Sequence, residues 1–218
     1  MANMKVELIE SAGGDLSVVN SARVSFNKSV EAMEAGDEKL INYLAKHRHD
    51  TPFRHNFIQL RCSVPLFLAR QLMKHQAGLT WNEESRRYID YAPDFYMPDG
   101  WRKRPDKSIK QGSGDRHHFS PRISREYEMF VKKATEFYED LLDEGVAPEM
   151  ARMVLPQSMM VNFIWSGNLL AFYHVYNLRS GEGAQEEAKV FASLLKDAIF
   201  PAFPKSWQAL QKRDNGTI

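Results

Sequence analysis

The stretch FIQLRCSVPLFLARQL, residues 57–72, contains two different periods joined at a proline. In its first half Ile58, Leu60, Cys62 and Val64 alternate with Gln59, Arg61 and Ser63. Successive side chains of a strand point to opposite faces, so this pattern predicts a strand with one buried face and one wet one. Pro65 then begins a helix, where its missing N–H would have had no intrahelical partner, and Leu68 with Leu72 supplies an apolar stripe. Gln71, Lys74 and His75 fall on the polar side of that helix, which is expected to end near Gly78.

Working outward, Val6 and Leu8 alternate with polar neighbours as a strand does, and residues 37–47 place Leu40, Ile41 and Leu44 on one side of a helix. The polar run NEESRRY, 82–88, reads as a turn entering an extended segment, and 101–114 as an irregular loop. From 120 to 144, Ile123, Tyr127, Phe130, Ala134, Phe137 and Leu141 recur at helical spacing, predicting a long amphipathic helix closed by Gly145. Pro148 opens a short helix holding Arg152; 159–165 is strand-like; 168–178 and 184–200 are helical, the last stopped by Pro201. With no repeat, low-complexity tract or long linker, residues 1–218 are expected to form one α+β domain of helices packed on an antiparallel or mixed sheet.

Composition narrows the partners. Twenty-nine Lys and Arg against 28 Asp and Glu leave a formal charge of +1, which gives no global attraction to nucleic acid or to an anionic membrane. The lone cysteine, Cys62, has no intramolecular disulfide partner, and no apolar stretch approaches the roughly 20 residues that span a bilayer. MANMKVELIE at the start lacks the order of a signal peptide, so the expected location is the cytoplasm. The basic run WRKRPDKSIK, 101–110, invites a nucleic-acid reading, but it contains Asp106 and a single aromatic, and a solvated loop or subunit contact is the better expectation.

The chemistry concentrates in RQLMKHQAGLTWNEESRRY, 70–88. Charge-rich turns are usually just solvated. Here paired arginines beside a serine have the donors to hold a phosphate dianion bidentately, and Gln and Glu have the groups to read the edge of a planar heterocycle. His47, His49 and His55 raise the alternative of a metal site, but without cysteines or a third carboxylate at ligand spacing they read as surface or hydrogen-bonded histidines, and no metal is expected.

This run resembles the signature of the flavin-dependent thymidylate synthases, which ends N-E-x-S-x-R; here it is Asn82, Glu83, Ser85 and Arg87. SARVSF at 21–26, HDTPFRH at 49–55, the strand and proline-led helix at 57–71, ARMVLP at 151–156 and WSGNLLAFYHVYNLR at 165–179 resemble the same family in the same order. The resemblance implies deoxyuridylate contacts from Gln71, Lys74, Glu83, Glu84, Ser85, Arg86, Arg87, Arg152 and Arg179. It implies flavin contacts from Ser25, Thr51, Lys74, His75, Gln76, Glu83, Asn168 and His174, with His49 near flavin and folate. It also implies reductive methylation of dUMP to dTMP with FAD as hydride carrier, NADPH and 5,10-methylenetetrahydrofolate as co-substrates, and a homotetramer with sites at subunit interfaces.

Arg179 is the residue expected to act in catalysis, as a fixed cation offsetting charge that develops on the pyrimidine; by itself it would read as an arginine offsetting a helix dipole. His174, among Phe172, Tyr173 and Val175, would by itself read as a core histidine. Arg86, Arg87, Arg152 and Arg179 are expected to converge on the nucleotide. Cys62, on the inward face of its strand, is expected to be an inert thiol and no nucleophile, and Ser85 a ligand without an activating base. Four features depart from the family pattern: Lys74-His75-Gln76 stands for Arg-His-Arg, one extra residue lies between that triplet and Asn82, Thr80 stands for a serine, and Leu170 for a frequent arginine. The first bears on how the flavin phosphates are held, because lysine lacks the planar fork of arginine. The reading from another class is a noncatalytic relative that binds nucleotide or flavin.

Overall fold

The computed structural model describes residues 2–106 and 112–217. Four strands form one antiparallel sheet: β1 (Lys5–Ala12), β2 (Phe57–Pro65), β3 (Leu79–Glu83) and β4 (Met160–Gly167), in the order β1-β2-β4-β3. The alternation in β2 has the predicted sense, with Ile58, Leu60, Cys62 and Val64 wholly buried. Residues opposed across a ladder share a face, so Phe163 beside Cys62 and Trp165 beside Leu60 extend the buried layer, and Trp81 of β3 stacks on Phe163 with ring centroids 3.4 Å apart. The other face carries Gln59, Arg61, Asn82 and Ser166.

Eight α-helices accompany the sheet among the described residues: α1 (Asp15–Arg23), α2 (Asp37–Lys46), α3 (Leu66–Leu72), α4 (Ser120–Asp143), α5 (Pro148–Ala151), α6 (Leu169–Ser180), α7 (Glu186–Ile199) and α8 (Pro204–Asp214). Leu169 to Tyr173 and Val175 of α6 are all buried, so the first half of α6 lies in the core, and the helix packs against α7. Two asparagines satisfy amides at its start: Asn168 Oδ1 accepts from the Ala171 N–H at 3.0 Å, and Asn56 Oδ1 from the Leu169 N–H at 2.7 Å. None of the helices is long and apolar enough to cross a membrane among the described residues.

Several expectations are corrected. The helix after Pro65 stops at Leu72, short of Gly78, because the chain must turn to lay Leu79–Glu83 against β4. That strand precedes the turn, which comes afterwards with the Tyr88 N–H donating to the Ser85 carbonyl. The long helix α4 is present and Ala134 of its expected stripe is buried, but Val131 and Tyr138 complete the buried side, while Phe130 and Phe137 are 56% and 52% exposed. On the buried side Tyr127 donates to the Tyr96 carbonyl and packs edge-on against Trp101. Helices α1 and α8 escaped the pattern reading, α1 because it is short and α8 because its apolar residues are few. They hold each other: Asp15 of α1 accepts the Lys205 and Ser206 N–H groups at 2.9 and 2.8 Å, placing a carboxylate at the start of α8. Residues 101–106 and 112–114 form no helix or strand, as expected for that loop; 107–111, with the end of the basic run, lie outside the described residues.

Candidate active site

The C-terminal turn of α6 brings Arg179 to the end of α3. Arg179 Nε donates to His75 Nε2 at 3.1 Å and its Nη2 to the Gln71 carbonyl at 3.1 Å, so the guanidinium is fixed by two acceptors. To accept that bond His75 Nε2 must be unprotonated, and burial, then the charges of Arg179 and His174, hold the imidazole below the ordinary histidine value. Arg179, Gln71, Lys74, Leu178 and Gln185 line a cleft of about 690 Å³.

A second cleft, of about 500 Å³, opens at the far end of β3, lined by Arg70, Glu83, Glu84, Arg86 and Arg152 with Met153, Met159 and Met160. Arg86 is 6% exposed, donates to the Tyr91 carbonyl and lies 4.6 Å from the centre of the Tyr91 ring. Glu84 accepts from the Tyr91 hydroxyl at 2.7 Å and from Asn162 Nδ2 at 2.9 Å. Burial raises the Glu83 carboxyl, against the opposing bond that Trp81 Nε1 donates to it at 3.2 Å. Arg152 is exposed, with Nε donating to the Glu149 carbonyl.

The four arginines therefore do not converge within one chain. Arg86 and Arg152 share a cleft, and Arg179 lines another. Adjacent residues in a turn diverge, so Arg87 points out, with Nε donating to Ser85 Oγ at 3.3 Å and the guanidinium over the exposed Tyr88 ring.

The residues expected near the flavin divide similarly. Ser25, His49 and Thr51 line a cleft of about 590 Å³ with Phe26, Tyr43 and His55. His47 and His49 flank the Tyr43 ring at 4.4 and 5.9 Å. Lys74 and Gln76 are exposed, and His174 is exposed on α6, which overturns its reading as a core histidine. Asn168 caps α6 and also explains Gly78, whose φ is +74° and where an added Cβ would stand 2.9 Å from Asn168 Nδ2. Hydroxyl and imidazole donors against exposed aromatic rings, in a cleft of this size, are a donor set that suits the polar chain and flat rings of a flavin dinucleotide. Cys62 is entombed in the sheet, and burial pushes its thiol well above its usual value.

Sequence reasoning missed three residues beside the Arg179 cleft: Arg102, Gln185 and Glu187. Glu187 is 5% exposed, and both its oxygens accept from Arg102 Nη2, at 2.7 and 2.8 Å. An acidic residue in the first turn of a helix looks like dipole compensation, so only its burial in the fold singles it out.

An α+β chain whose clefts are walled by arginines, amides and aromatic rings has the form of a nucleotide-binding enzyme. The model of the family described as thymidylate synthase complementing protein matches residues 7–205. A flavin-dependent thymidylate synthase from Kosmotoga olearia is 35% identical over 206 residues, covering 94% of this chain and 88% of the relative. Another, from Thermus thermophilus, is 31% identical over 211 residues, covering 95% and 75%. Among solved structures, a UMP/dUMP methylase PolB from Streptomyces cacaoi bound with 5-Br dUMP superimposes with a TM-score of 0.87 at 31% identity, covering 96% of this chain and 95% of that one. The chain belongs to the thymidylate synthase complementing family, that of the flavin-dependent thymidylate synthases.

Proposed function

We propose that the protein is a flavin-dependent thymidylate synthase that converts dUMP, 5,10-methylenetetrahydrofolate, NADPH and a proton to dTMP, tetrahydrofolate and NADP⁺. The observation that carries this reading is the Arg179 guanidinium, held by His75 and Gln71 at the wall of a cleft while the single cysteine is sealed in the core. A prearranged cation stabilises charge as it develops on the pyrimidine without reorganising at the moment of reaction. Bound FAD would supply the hydride chemistry. Ser25, His49 and Thr51 would hold it on one side, with Lys74, His75, Gln76, Glu83, Asn168 and His174 on the other.

Gln71, Lys74 and Arg179 would address the base, and Glu83, Glu84, Ser85, Arg86, Arg87 and Arg152 the sugar and phosphate. These sets lie apart within one chain, so the reading requires neighbouring subunits to bring them together, and the family resemblance implies that the assembly is a homotetramer. One hydrophobic core, running from Met4 through the sheet to Leu210, supports a single domain. Folate, NADPH and a cytoplasmic location follow from the same reading, with no part for nucleic acid or a membrane.

The test is dTMP formation by the isolated flavin-loaded protein, dependent on both NADPH and the folate. A noncatalytic nucleotide- or flavin-binding relative would bind and form none. UMP belongs in the same assay, since the Streptomyces cacaoi methylase is described for UMP as well as dUMP.

A further inference from the structure

Gln71 belongs to a chain of hydrogen bonds that the reaction itself does not require. Gln71 Nε2 donates to Gln185 Oε1 at 2.7 Å, and Gln185 Nε2 donates to Glu187 Oε2 at 2.8 Å. Glu187 sits in the first turn of α7, just beyond the helix's N-cap residue Gln185, and Arg102 grips the same carboxylate from the loop. An ionised carboxylate only accepts hydrogen bonds, whereas an amide has a donating end and an accepting end. Glu187 therefore admits only the NH₂ end of Gln185. That leaves the carbonyl end of Gln185 toward Gln71, which in turn must offer its own NH₂ there. Burial raises the Glu187 carboxyl, but the bonds from Arg102 and Gln185 outweigh it and leave the group below its usual value, so it stays ionised near neutrality.

We propose that Glu187, acting through Gln185, is a specificity-determining positioning residue that locks the amide polarity of Gln71 and so selects a uracil over a cytosine base. This rests on the reading of Gln71 as a pyrimidine contact. With one N–H committed to Gln185, Gln71 retains its carbonyl and its other N–H for the cleft it lines. A uracil edge offers an N3–H donor beside carbonyl acceptors. Cytosine reverses that pattern, with an acceptor at N3 beside an amino donor. A site built to pair with one pattern rejects the other because its own polar groups would be left unpaired.

The test measures dUMP and dCMP dissociation constants by calorimetry on the flavin-loaded wild type, Glu187→Gln, Gln71→Ala and the double variant. A glutamine at 187 both donates and accepts, which releases the lock. Glu187→Gln is expected to weaken dUMP roughly tenfold, the scale of one misaligned hydrogen bond, and to narrow the dUMP:dCMP ratio. In the Gln71→Ala background the same change should alter neither constant by more than about twofold, since its route to the base is gone. Gln185→Leu leaves the Arg102–Glu187 pair in place and should narrow the ratio in the same way, even if Glu187→Gln fails to fold. An unchanged ratio in these variants, or an equal effect with and without Gln71, overturns the proposal. Wild type that binds no dUMP overturns instead the functional reading beneath it.

Discussion

The Arg179 cleft and the Ser25–Thr51 cleft are built in opposite ways. In the first, each link is committed within the chain, from Arg102 through Glu187, Gln185 and Gln71, and from Arg179 to His75. In the second, Ser25, His49 and Thr51 are exposed, beside Phe26 at 77% exposure. Fixed dipoles are what a charge-developing step requires, because a group that must reorganise stabilises late and weakly. A large, flexible cofactor held by many contacts can instead be bound by groups that settle around it. The fold thus commits its hydrogen bonds where a reacting base would lie and leaves exposed side chains where a cofactor would.

Arg179→Gln is expected to slow single-turnover dTMP formation by about 10²–10³-fold, the scale for loss of one preorganised donor, while changing dUMP affinity far less. A rate near wild type would make the fixed cleft irrelevant to chemistry. Next, Arg152→Ala should raise the dUMP KM by roughly ten- to a hundredfold, as expected when a charge-assisted bond to a phosphate is lost, with little change in kcat. On the open side, Ser25→Ala or Thr51→Ala should each weaken flavin retention by only about threefold to tenfold, since an exposed neutral hydrogen bond contributes about 1 kcal/mol. A loss as large as that at Arg179 would contradict the contrast.

His75 sharpens it further. The folded chain holds its imidazole below the ordinary value of about 6.5, so the unfolded chain binds more protons between the two values. Its contribution to stability is therefore complete above about pH 6.5 and is lost as pH falls toward the folded-state value. Arg179→Gln removes one of the charges that lower it, and NMR titration should show the His75 value rise while burial keeps it depressed. The smallest effect is expected at Cys62, where Cys62→Ala should leave turnover unchanged and cost about 1 kcal/mol in denaturant unfolding for a lost buried sulfur.

Legibility in the sequence followed burial. Residues 57–72 were readable because one face of β2 and one stripe of α3 are wholly buried, so period and environment coincide. The edge strand β3 was not, since only Leu79, Trp81 and Glu83 mark its inner side and a glutamate ends it. In α4 the period was right and the stripe only in part: Tyr127 and Ala134 face the body, but the aromatic Phe130 and Phe137, which outweigh Val131 in any count of apolar residues, are exposed. The site residues came from resemblance, which names positions but not neighbourhoods. That Arg86 turns inward and Arg87 outward depends on one turn, and that Glu187 governs Gln71 depends on two segments 114 residues apart meeting at Gln185.

The most direct test follows the electrons. Flavin-loaded protein is reduced anaerobically, freed of NADPH, and mixed with dUMP and 5,10-methylenetetrahydrofolate while flavin absorbance and dTMP are both recorded. The expected result is one flavin oxidised for each dTMP formed, with tetrahydrofolate as the folate product. No dTMP, or dTMP accompanied by dihydrofolate while the flavin stays reduced, would contradict it.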